Sequence, residues 1–200
     1  MNRSFQKGAF CLLLLLFFSS RGFCEEYFEK YVVSYGSPDA PIVVRQYVSF
    51  DCGVCHDFYK KVFPKIKAKY LDKNKLRWDF VPYPLDLSTI RAMICLEKFN
   101  RAQKRSFFEL TFPFAFEQSE NLLSMAMQKI SYSFGTRPGE IDSNVFLRNS
   151  QTMTDAFHFR KEVDFTFLPA FDIQGQVIEG NLSLDELFSM IDKRIKERFS

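Results

Sequence analysis

The sequence predicts one α/β domain in which a parallel strand pair, joined through a helix, is followed by a long helical insertion and then by a β-hairpin and a closing helix. Three observations carry this expectation. Two β-rich runs, Ile42–Phe50 and Lys75–Tyr83, flank a segment whose apolar residues recur at helical spacing. Helical periodicity then persists from Ser88 to about Val163. Finally, Thr166–Ile173 and Val177-Ile178 flank the turn Gln174-Gly175-Gln176 as a hairpin. The resulting order, β, β, α, β, helical block, β, β, α, builds the sheet from segments on both sides of the insertion.

The first element is a short strand over Tyr31–Tyr35, ended by the turn cluster Gly36-Ser37-Pro38-Asp39. Pro41 then leads into Ile42–Phe50, a β-branched and aromatic run expected to be mostly buried. Beyond Cys52, the residues Phe58, Val62, Phe63, Ile66 and Tyr70 mark a helix, and Pro64 within it predicts a kink. In Lys75–Tyr83, Leu76, Trp78 and Phe80 alternate with Arg77 and Asp79, which reads as a third strand. The helical block divides into Ile90–Ile94, Phe107–Phe116, Leu122–Ile130, Ile141–Leu147 and Met153–Val163, with breaks at Pro113, residues 135–139 and Asn149-Ser150. Ser183 caps a final amphipathic helix that runs through Leu184, Leu187, Ile191 and Ile195.

Two hundred residues with 46% hydrophobic content suffice for one compact core but hardly for two. The N-terminus reads as an export signal: Arg3 and Lys7 precede an apolar run, Gly8 to Phe18, and Ser19-Ser20-Arg21-Gly22 supplies small residues for cleavage after Gly22. An uncleaved anchor is the alternative, because Arg21 and Phe23 make a poor cleavage region. A lipid-modified Cys24 is disfavoured by the bulky Phe23 before it. Residues 1–22 hold three basic residues and no acid, so 27 minus 3 leaves 24 basic residues against 24 acidic ones. The mature chain is then neutral, and no basic patch recommends nucleic acid as a partner. Five cysteines, at 11, 24, 52, 55 and 95, are too few for a disulfide-stapled scaffold. Cys24 is expected to be free, and Cys95, in the helical core pattern AMICLEKF, to be an inert buried thiol.

The close pair lies in Asp51-Cys52-Gly53-Val54-Cys55-His56. As C-x-x-C-H it could attach a c-type haem; as C-x-x-C opening a helix it could be a thiol–disulfide redox centre. Haem would require His56 on the iron and a second axial ligand, and nothing selects one among Met93, Met125, Met127 and Met153. Zinc would need a further cysteine or histidine pair, which the sequence lacks. A redox centre needs its first cysteine at a helix N-terminus, where unpaired N–H groups and the helix dipole stabilise a thiolate. The strand-to-helix change expected at Cys52 supplies that setting.

With the motif in this context, the chain resembles the DsbA-like branch of the thioredoxin superfamily. The resemblance rests on SPDAPIVVRQYVSFDCGVCHDFYKKVFPKI and, more than a hundred residues later, FTFLPAFDIQGQVIEG, with a helical insert between them. It implies a thioredoxin-like fold over 23–87 and 164–200, with 88–163 as an inserted helical subdomain. It further implies that Cys52 is the exposed nucleophile, Cys55 the buried resolving cysteine, and Pro169 a cis proline lying against the active-site disulfide. The backbone of Leu168 would then be free to pair with an extended substrate. This sequence departs from the family in three respects. Gly53-Val54 stands where strongly oxidising members carry Pro-His, Gln46 stands where relatives often place a buried acid that assists proton transfer, and Leu168 replaces the usual Val or Thr. Gly53, Val54, His56 and Gln46 are therefore the candidates for tuning the thiolate. His56 also reads as an ordinary first-turn helix residue, and His158 as structural.

The resemblance implies a periplasmic or otherwise extracytoplasmic protein disulfide oxidoreductase that introduces disulfides into exported proteins with free cysteines. A membrane redox partner would reoxidise it, no metal or organic cofactor is implied, and a monomer is expected. A reductase or isomerase on the same fold is the alternative. Isomerases of this superfamily usually carry an N-terminal dimerisation domain, for which the roughly eight residues between the expected cleavage site and the first strand leave no room.

Overall fold

The computed structural model describes residues 26–137, 140–141, 151–180 and 182–199. The export signal, Cys11, Cys24 and all but the first residue of the helix expected over Ile141–Leu147 lie outside these described residues.

Five strands form one sheet in the order β1-β3-β2-β4-β5. They are β1 Val33–Tyr35, β2 Ile42–Val48, β3 Leu76–Pro82, β4 Ala170–Ile173 and β5 Gln176–Glu179. β2 and β3 are parallel, with Val44 opposite Trp78 and Gln46 opposite Phe80. β1 pairs antiparallel with β3, β4 antiparallel with β2, and β5 antiparallel with β4. Residues 26–31 are helical (α1). The remaining helices are α2 Gly53–Lys61, α3 Phe63–Lys69, α4 Leu87–Leu96, α5 Arg101–Ala115, α6 Glu120–Ser133, α7 Gln151–Glu162 and α8 Leu184–Phe199. Among the described residues no helix is long and apolar enough to cross a membrane.

Side chains alternate across the strands and split the interior into two cores. Ile42, Val44 and Val48 of β2, Leu76, Trp78 and Phe80 of β3, and Phe171 and Ile173 of β4 share one core with residues of α2, α3, α5 and α8. Tyr47, Val81 and Ala170 face the other, with Tyr27 and Tyr31 of α1, Met93 of α4 and Phe159 of α7. Both faces of the central strands are thus covered, so that even Gln46 of β2 and Asp79 of β3 are buried.

Four details differ from the sequence reading. Tyr31 belongs to the helical residues, because its hydroxyl donates to Asp155 Oδ2 at 2.7 Å and Tyr27, one turn earlier, stacks on Phe159 at 3.8 Å. The kink expected at Pro64 is a break at Val62, with Pro64 in the first turn of α3, where a missing N–H costs nothing. Pro113 does not interrupt α5: it lies two residues from the end of the helix, so one lost hydrogen bond is tolerated while its ring is buried. The hairpin begins only at Ala170, and its turn is the two residues Gln174 and Gly175, with φ of 54° and 86°. Two successive positive φ angles match the twist of the flanking strands, which accounts for the glycine.

Candidate active site

β2 delivers the chain to Cys52 through Ser49, Phe50 and Asp51. Cys52 is the N-cap of α2: its backbone is extended (φ −93°, ψ 98°), and its Sγ accepts the Cys55 backbone N–H at 3.3 Å. Its carbonyl accepts the N–H groups of Cys55 at 3.0 Å and His56 at 3.2 Å. Cys52 and Cys55, with Cα atoms 5.2 Å apart, are joined as a disulfide across this first turn. Cys52 is half-buried, whereas Cys55 has no exposed surface and belongs to the core of Phe58 and Trp78. One sulfur is therefore reachable and the other sealed.

The two residues between the cysteines differ in setting. Val54 is exposed, while Gly53 lies under the ring of Phe116, close enough that an added Cβ would meet ring carbons at 3.2 Å. His56 is buried, edge-on to Phe112 at 4.6 Å and Phe116 at 5.9 Å, and its Nδ1 accepts the Phe116 backbone N–H at 3.2 Å. Burial, reinforced by the Lys60 ammonium and opposed by the Phe50 carbonyl, lowers its pKa to about 4. The imidazole is neutral at pH 7 and brings no positive charge to the sulfur pair. Gln46 is fully buried on β2, where its Oε1 accepts the indole N–H of Trp78 at 3.2 Å.

The Leu168–Pro169 peptide bond is cis, as the resemblance implied. Pro169 immediately precedes β4, whose first residue Ala170 pairs with Tyr47 near the end of β2 that leads to Cys52. Leu168 and Cys52 pack against the same core. The loop ahead of the proline is held by Glu179 of β5, whose Oε2 accepts the N–H groups of Thr166 at 2.8 Å and Phe167 at 2.9 Å. Asp51 carries a carboxyl whose pKa is raised by partial burial and by the charges of Asp86 and Glu120. The field of these acids opposes a neighbouring thiolate. Cys95 is a free, buried thiol with its pKa pushed up to about 12 by burial.

The haem reading of C-x-x-C-H does not fit this geometry, because the sulfurs are bonded to each other and the imidazole is enclosed by phenylalanines and engaged through Nδ1. Sequence reasoning did not single out Ser49, Asp86, Thr89, Phe116 or Glu179. Asp86 had a usable signal, an N-cap type three residues before Thr89 and just ahead of an apolar periodic run. Phe116 and Glu179 reach the site through tertiary contacts that no local pattern encodes.

The thioredoxin family model matches residues 29–193, and the chain belongs to that family. The fold is the DsbA variant, with helices inserted into the thioredoxin-like sheet. It is similar to the crystal structure of alpha-DsbA1 from Wolbachia pipientis, with a TM-score of 0.67, 22% identity, and coverage of 84% of this chain and 92% of that one. Disulfide bond formation protein D of Bacillus subtilis is 21% identical over 168 residues, 80% of this chain and 76% of that protein. A Rickettsia conorii protein, provisionally named a protein-disulfide oxidoreductase, is 24% identical over 181 residues, and the chain spans 60% of its length.

Proposed function

We propose that this chain is an exported thiol–disulfide oxidoreductase that forms disulfide bonds in other exported proteins through Cys52 and Cys55. The observation that carries the reading is the asymmetry of the pair, a half-buried sulfur at a helix N-cap bonded to one sealed in the core. A substrate thiolate attacks Cys52 Sγ, forming a mixed disulfide as Cys55 departs as a thiolate. A second substrate thiolate then attacks the substrate sulfur of that mixed disulfide and expels Cys52. Two electrons pass from substrate to enzyme, and the substrate leaves oxidised.

The thiolate on Cys52 is a good leaving group because the first turn of α2 stabilises it, the Cys55 N–H in particular. Cys55 becomes a buried thiol, and its proton comes from solvent or substrate, since Gln46 cannot supply one. Leu168 presents backbone to an extended substrate segment, with Pro169 closing the site beside the sulfurs. Gly53 and Val54 add no charge. An external oxidant, in this reading a membrane redox partner, must restore the disulfide. Export into the periplasm or its equivalent rests on the apolar N-terminal run.

A reductase is the second reading, favoured by Asp51, Asp86 and Glu120, whose charges disfavour the thiolate and so lower the reduction potential. Redox titration of the purified protein against glutathione separates the two. Reversible two-electron behaviour at Cys52 and Cys55 with a potential well above thioredoxin's, about −270 mV, is expected. A potential at or below that value removes the oxidase direction, and the absence of any mixed disulfide in a Cys55→Ser variant removes the enzyme.

A further inference from the structure

The loop that presents Cys52 hangs from a second element through side chains. The Phe50 backbone N–H donates to Thr89 Oγ1 at 2.7 Å, and the Asp51 N–H donates to Ser49 Oγ at 3.1 Å. Both hydroxyls donate onward to one oxygen, Asp86 Oδ2, from Ser49 at 2.5 Å and from Thr89 at 2.8 Å. The other carboxylate oxygen, Oδ1, accepts the Thr89 backbone N–H at 2.7 Å, so Asp86 also caps α4. The Cys52 N–H closes the set by donating to the Ser49 carbonyl at 3.2 Å. Ser49 and Thr89 are buried, and Asp86 is half-buried.

The polarity of this relay is determined. Each hydroxyl has one hydrogen, which goes to Asp86, and its lone pairs are thereby free to receive a loop amide. An acceptor without a proton is required at Asp86 Oδ2, and a carboxylate is one. Three consecutive N–H groups, those of Phe50, Asp51 and Cys52, are thus engaged immediately before the helix begins. Nothing in this arrangement touches the sulfur; it constrains where the sulfur sits relative to the Cys55 N–H.

We propose that Thr89 and Ser49, anchored by Asp86, are positioning residues for Cys52, holding its sulfur at the α2 N-cap where the Cys55 N–H stabilises the thiolate. The proposal rests on the reading of Cys52 as the reactive thiol. Releasing the loop lets Cys52 leave the cap, so the thiolate loses a hydrogen bond and the pKa rises. Thr89→Val and Ser49→Ala both preserve the charge of Asp86, and the shift therefore reports geometry.

The test is the pH dependence of iodoacetamide alkylation at Cys52 in the reduced full-length protein, read by peptide mass. Thr89→Val and Ser49→Ala each raise the apparent pKa of Cys52 by about 0.5–1 unit. Below the pKa this slows alkylation about 3–10-fold, and Thr89→Ser, which keeps the hydroxyl, titrates like the wild type. The proposal fails if Ser49→Ala matches the wild type, or if Thr89→Ser shifts as far as Thr89→Val. Should Thr89→Val not fold, Ser49→Ala and Thr89→Ser still decide. A wild-type Cys52 that titrates as an ordinary thiol, near 8.5, overturns the reading of the nucleophile and the proposal with it; a depressed wild-type pKa that neither variant moves overturns only the positioning.

Discussion

His56 shows how far a residue's chemistry depends on its surroundings. Adjacent to Cys55, it reads in the sequence as a candidate for tuning the thiolate, yet burial against Phe112 and Phe116 holds its pKa near 4. A histidine whose folded pKa lies below its unfolded value of about 6.5 binds fewer protons in the native state. Its contribution is therefore intact at high pH and is lost as pH falls through 6.5 toward 4. Urea denaturation at pH 7.5 and 4.5 should show a loss for the wild type that exceeds the loss for His56→Phe by up to about 2–3 kcal/mol. Parallel losses would mean that the imidazole is protonated in the fold. Gln46 makes a related point: its type announced that it could not move a proton, but its engagement with the Trp78 indole needed the pairing of β2 with β3.

At the scale of elements, the site is a junction. α2 supplies the sulfurs, α4 anchors the loop before them, the end of α5 covers Gly53 through Phe116, and the β4–β5 hairpin holds the proline loop. Glu179 is the hairpin's contribution, with one carboxylate oxygen receiving two consecutive amides ahead of Leu168. Charge-assisted bonds of this kind are stronger than neutral ones, and without them the segment proposed to meet substrate is less ordered. Glu179→Ala should accordingly raise KM for a cysteine-containing peptide about 3–10-fold while leaving the Cys52 pKa unchanged; an unchanged KM would dissociate Glu179 from substrate binding. The strands at the heart of this junction were legible because alternation is local. The helical character of Tyr31 and the continuity of α5 through Pro113 were not, since both depend on what the segment packs against.

For the molecule as a whole, disulfide chemistry and stability are one equilibrium. A protein that oxidises others must be more stable with its own pair reduced, and each ~1.4 kcal/mol of that preference is worth ~30 mV. Oxidase action therefore predicts a higher urea midpoint for the reduced protein than for the oxidised one. The reverse order would assign the chain to reduction, the direction toward which Asp51, Asp86 and Glu120 pull.

The sequence by itself determined the order of the strands, the strand-to-helix switch at Cys52, the dithiol and the Leu-Pro hairpin. All of these follow from periodicity and residue type within short windows. Only the tertiary structure decided that Cys55 is sealed while Cys52 is reachable, that His56 is neutral, and that Asp86 and Glu179 bond to the loops ahead of Cys52 and Leu168. Burial and electrostatic environment are properties of neighbours brought together across the sheet, and no stretch of chain carries them alone.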